Sequence, residues 1–94
     1  MVISDFRPLL NDTFRIQFSD QALELRLEEV NIAGAPYTEG ARQPFSLLFT
    51  ADASRGILRQ GNYALNNDRL GRQNLFLVPV GVREGVCHYE AIYN

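Results

Sequence analysis

Lysine is absent from this 94-residue chain, and all nine of its basic residues are arginine. Arginine favours planar, bidentate contacts, but a wholesale replacement of this kind reads first as genomic base composition. Cysteine occurs once, at Cys87, so no intramolecular disulfide can form. Histidine also occurs once, at His88, and no carboxylates cluster around it in sequence. That leaves a metal ion without a ligand set, and no metal or other cofactor is expected. No apolar run approaches the ~20 residues of a membrane span. Asp5 and Arg7 interrupt the N-terminal apolar residues, so no secretory signal is read there. The default expectation is a soluble cytoplasmic protein, and a particle component exported without a signal peptide would look the same. No P-loop or dinucleotide fingerprint is present, because the glycines fall in turns.

The formal net charge is -2 and the sequence pI is about 5.2, with no bias toward nucleic acid or membrane. The length fits one domain over residues 1–94. A chain of this size buries roughly 60–68% of the surface its unfolded form exposes, enough for one core.

Along the chain, Ser4 to Leu10 reads as one or two turns of helix, capped by Ser4, with Phe6, Leu9 and Leu10 on one face. Thr13 to Phe18 alternates, with Phe14, Ile16 and Phe18 inward. Ala22 to Val30 alternates again through Leu23, Leu25 and Leu27, then loses parity at Val30. A bulge near Glu28-Glu29, or the strand's end, accounts for that. Asn31 to Gln43 reads as a loop. Pro44 to Thr50 is a third strand and Ile57 to Leu65 a fourth. Asn66 to Gly71 is a connection in which Gly71 is expected at positive φ. About six short strands with one short N-terminal helix indicate an all-β domain. The expected architecture is a small antiparallel barrel or a flattened sandwich, and closure would hide the sheet edges.

The last two strands form the longest feature, Gln73–Val82 and Val86–Tyr93 around Glu84-Gly85. A two-residue turn there pairs Val80 with Tyr89, Val78 with Ala91 and Phe76 with Tyr93. One face is then wholly apolar and is assigned to the core, with Tyr93 buried. Pro79 lacks a ladder donor, so it marks an edge or a bulge. Leu75, Leu77 and Ile92 fall on the second face and form a candidate interaction surface. Either the N-terminal helix covers them or a partner subunit does, most simply a second copy.

Few residues suggest chemistry. Cys87 and His88 are adjacent, and adjacent strand side chains point to opposite faces, so a nucleophile–base pair is not expected. Glu28 and Glu29 are likewise placed on opposite faces if the strand continues, as a solvated rim rather than an acid–base pair. Arg55, Arg59, Arg69 and Arg72, with Tyr63, could line a single-stranded nucleic-acid surface. The acidic pI and the lack of a recognised motif weigh against that, and surface ion pairs are the simpler account.

One set of motifs is more specific. Gly61-x-Tyr63-x-Leu65, Leu70-Gly71, Leu75 to Pro79 and the terminal Tyr89-Glu90-Ala91-Ile92-Tyr93-Asn94 resemble a family of small bacterial domains of unknown function. Phe6-x-x-Leu9 and Phe14 are also similar. Tyr93 departs mildly, since the pattern more usually has Phe there. Such domains are often encoded near phage-tail-collar-like proteins of the microcystin-dependent type, which implies a structural or assembly role by association. The resemblance supplies no catalytic residues. The expected function is therefore a non-enzymatic structural or interaction module, with a small ligand-binding barrel as the alternative.

Overall fold

The computed structural model describes residues 1–35 and 42–94. Six strands form a closed antiparallel barrel. They are β1 (Thr13–Gln17), β2 (Ala22–Ile32), β3 (Phe45–Asp52), β4 (Gly61–Asn67), β5 (Gly71–Arg83) and β6 (Val86–Tyr93). Around the barrel the order is β1-β2-β3-β6-β5-β4. A short helix, α1 (Ile3–Phe6), and a 3₁₀ turn at Arg7–Leu9 precede them. Closure therefore selects the barrel over the sandwich.

The alternation in each strand decides what goes inside. Phe14 and Ile16 of β1, Leu25 and Leu27 of β2, and Phe45, Leu47 and Phe49 of β3 all face the interior. Leu65 of β4, Leu75 and Leu77 of β5, and Cys87, Tyr89 and Ala91 of β6 complete it. Phe14 meets Phe49 edge-on, with ring centroids 5.2 Å apart, a favourable aromatic geometry. Each fully buried side chain of this kind contributes roughly 1.5–3 kcal/mol.

Parity is lost at the expected place in β2. Leu27 pairs with Phe49 and Glu29 with Leu48, so Glu28 is the extra residue of a bulge and Val30 returns to the inner side. A second bulge lies in β5. Pro79 pairs with Tyr89 and Gly81 with His88, leaving Val80 unpaired. The turn at Glu84-Gly85 has the expected two residues, and both take positive φ, 54° and 79°, as a tight right-twisted hairpin needs. Yet the register beyond Val80 is not the expected one. Val78 faces Glu90 and not Ala91, because the bulge consumes one residue. Every β5 side chain before it therefore changes face. Leu75 and Leu77 go inward, and Phe76 goes outward.

The N-terminal segment also differs from expectation. The Asp5 carboxylate, not Ser4, caps α1, accepting from the Val2 N–H at 2.8 Å. Phe6 and Leu9 then plug one mouth of the barrel. Phe6 lies 5.7 Å from Phe45 and 5.5 Å from Tyr93, and those two rings stack at 4.7 Å. Leu10 stays exposed. The helix is thus a stopper for the interior and covers no outer face. Tyr93 is half-buried beneath it rather than fully enclosed.

The opposite mouth is crossed by residues 56–60. Ile57 to Gln60 was expected to start β4, but Gly56 has φ 106° and the strand begins only at Gly61. The Leu58 N–H donates to Tyr89 Oη at 2.9 Å, which holds this segment over the barrel end. Burial pushes the Tyr89 phenol up to about 12, reinforced by its neighbour Cys87.

The barrel seam between β1 and β4 carries one ladder pair, Arg15 with Asn66. A polar clasp reinforces it. Asn67, itself buried, donates to the Thr13 carbonyl at 3.0 Å and accepts from the N–H groups of Arg69 and Leu70, both at 2.9 Å. Asp12 accepts from Arg69 at 2.9 and 3.0 Å. Buried polar groups must find such partners. Beyond Leu77, β5 pairs with β6 alone, while β6 stays paired with β3 as far as Val86, so the β4-facing edge of β5 is open there.

Candidate interaction surface

Cys87 and His88 do lie on opposite sides of the wall. Cys87 is a buried free thiol of the core, while His88 lines the outside. The expectation that Glu28 and Glu29 diverge does not hold. The bulge turns both toward one outer groove. Glu28 accepts from Thr50 Oγ1 at 3.1 Å and lies 3.5 Å from Arg26. Glu29 accepts from Asn31 Nδ2 at 2.9 Å. Among the described residues, no group of three or more His, Cys, Asp or Glu side chains is placed to hold a metal ion.

The four arginines of the middle stretch are not brought together. Arg69 is committed to Asp12 and to the Pro8 carbonyl, 2.7 Å away. Arg55 contacts Gln21 at 3.3 Å, near the other mouth. Arg59 precedes β4 and Arg69 follows it, so about 20 Å of strand separates them at the usual rise. Tyr63 donates its hydroxyl to the Arg59 carbonyl at 2.7 Å and so acts as a local brace.

The candidate surface of Leu75, Leu77 and Ile92 is split by the register. Leu75 and Leu77 are core residues at 3% and 0% exposure, and only Ile92 remains outside, at 58%. The residues exchanged for them are themselves apolar. Phe76 is 48% exposed and Val80 is 53% exposed. Carried two residues further, the Val78–Glu90 register sets Phe76 level with Ile92. The hairpin therefore has an apolar outer row made of Phe76, Val80 and Ile92. The cue available in sequence was Pro79: a proline two residues before a glycine, in a strand with apolar residues on both faces, marks where an extra residue enters.

Beside that row lies a saddle on the outer wall. Its floor is β3 and β6, where Thr50 faces His88 across the ladder. Its sides are β2 and β5, each bent by its own bulge. One lobe has a volume of about 890 Å³ and reaches the Glu84-Gly85 turn. A second, of about 360 Å³, runs along Val80, Gly81 and Val82. The lobes share Glu29, Leu48, Arg83 and His88. A smaller hollow of about 200 Å³ sits at the mouth beside Phe18, Leu23 and Leu58. The interior itself is filled by side chains, and these concave regions lie on its outside or at its rim.

Together these features define a small closed antiparallel β-barrel domain, stoppered at one mouth by its N-terminal helix. The chain belongs to the family described as a domain of unknown function (DUF6916), whose model matches residues 1–93. No curated protein and no solved structure matches it. No helix among the described residues is long and apolar enough to cross a membrane.

Proposed function

We propose that the chain is a non-enzymatic protein-interaction module that docks through the outer side of the β5–β6 hairpin. The observation that carries this is the exposed apolar row Phe76, Val80 and Ile92 on the outer side of the hairpin. Scattered exposed apolar residues are ordinary, but a grouped set with an aromatic at its centre is a feature of binding surfaces. The β4-facing edge of β5 from Val80 to Arg83 adds a second attachment point, since among the described residues β5 pairs there only with β6, on its other side. Exposed edges of this kind accept a further strand. The filled interior favours this reading over a small-molecule barrel, which needs a preformed cavity. The separation of the arginines favours it over a single-stranded nucleic-acid binder.

The setting we propose, from the motif resemblance, is assembly of a phage-tail-like fibre, with a neighbouring gene product or a second copy as partner. Phe76→Asp is the test. The variant should melt as cooperatively as the parent and lose assembly, seen as a smaller species by light scattering or as loss of capture by the neighbouring gene products. A parent protein that stays monomeric and captures none of them would sink the proposal.

A further inference from the structure

The saddle has an electrostatic character that the rest of the chain lacks. Five carboxylates line its larger lobe: Glu24, Glu28, Glu29, Asp52 and Glu84. Among the described residues, only Arg26 and Arg83 oppose them there. Elsewhere in the sequence six carboxylates meet seven arginines. The negative excess of the whole chain therefore sits in this one groove. Arg26 offsets one of the five, Glu28, at 3.5 Å, which leaves four carboxylates facing Arg83. Asp52 accepts from the Ser54 N–H at 2.8 Å, and that bond holds its carboxyl below the usual range, charged at neutral pH.

The floor is different. Leu48 lies along it, with Val80 and Val82 on the β5 side of the smaller lobe. An apolar floor between charged rims suits an extended chain whose side chains alternate. Short apolar side chains would face Leu48 and Val80. Long cationic ones would lay their stems on the same surface and carry their heads out to the rims. A nucleic acid or an anionic lipid surface would instead be repelled by the same five carboxylates.

Resting on the reading of this chain as an interaction module, we infer that the saddle between the bulged strands β2 and β5 binds an extended, arginine- or lysine-bearing segment of a partner polypeptide. Both bulges contribute to it. The β2 bulge aims Glu28 and Glu29 into one groove, and the β5 bulge exposes Val80 beside it.

The test uses the full chain and two dye-labelled octapeptides, one alternating arginine with valine and one alternating glutamate with valine. Fluorescence anisotropy should show binding of the basic peptide alone, weakening as salt screens the rims. The double variant Glu29→Gln/Glu84→Gln should weaken it about tenfold, the equivalent of about 1.4 kcal/mol. Asp20→Asn/Asp68→Asn, outside the groove, should leave it unchanged. Equal binding of both peptides, equal loss in the two variants, or no binding of the basic peptide would each overturn the inference. The parent reading is judged separately by Phe76→Asp. If that variant still loses assembly while the basic peptide fails to bind, only the basic-partner inference falls.

Discussion

Leu77 and Phe76 are neighbours on β5, equally apolar, with opposite fates. Leu77 is sealed inside the barrel wall and Phe76 stands half in solvent. The same contrast repeats across the hairpin, where Tyr89 and Ala91 are buried and Ile92 is not. Hydrophobicity does not separate the two sets. What separates them is a single extra residue, Val80, between Pro79 and Gly81. The inner set is held by packing and the outer set is exposed, so substitutions on the two faces should differ in kind.

The largest difference should come from paired charges. Leu77→Asp places an unpaired carboxylate in the interior, and breaking charge balance in a core costs about 3–5 kcal/mol or more. That is comparable with the whole stability of a small domain, so far-UV circular dichroism should show no cooperative melt. Phe76→Asp should keep its melt. If both variants unfold, the two faces are not distinct and the outer row is structural.

Alkaline titration probes the inner set alone. The Tyr89 phenol is raised by burial to about 12, from a usual value near 10. Below pH 10 it is neutral in both folded and unfolded chains. Between pH 10 and about 12 the unfolded chain ionises first, so stability should fall through that window by roughly 2–3 kcal/mol. Denaturant melts across the range would show it. Tyr89→Phe should flatten that fall, while leaving the Leu58 N–H without its acceptor.

The neighbours Cys87 and His88 offer a milder version of the comparison. Cys87→Ser puts a hydroxyl into the core and should cost about 1–3 kcal/mol. His88→Ala, on the saddle floor, should stay within about 0.5 kcal/mol. Equal costs in urea melts would mean that the outer wall bears load. A similarly small effect is expected at the exposed Arg15–Asp68 pair, 2.6 Å apart. Arg15→Gln should change stability by about 0–1 kcal/mol, and less in high salt.

Much of the barrel was readable along the chain because strand periodicity is local. The alternation of Phe14 with Ile16, and of Leu25 with Leu27, fixes their inward face without reference to any neighbour. The break at Val30 announced the β2 bulge for the same reason. The β5 bulge was less legible. Leu75 to Val82 is apolar on both faces, so its pattern fits either register, and Pro79 marked the place without giving the direction of the shift. The candidate surface was misassigned for that reason alone. The Asp12–Asn67–Arg69 clasp was not readable at all, since Asp12 and Asn67 are joined only when β1 meets β4.

By itself, then, the sequence determined which segments become strands, where the hairpin turns, and that the domain is all β. Those outcomes depend on residue type and short-range spacing, through pleat geometry and the positive φ that Gly71 and Gly85 supply. The tertiary structure decided which apolar face of the last hairpin is core and which is exposed. It also decided that α1 stoppers a mouth, and that five carboxylates from distant segments share one groove. These depend on long-range pairing, in which one unpaired residue reverses every side chain along the strand.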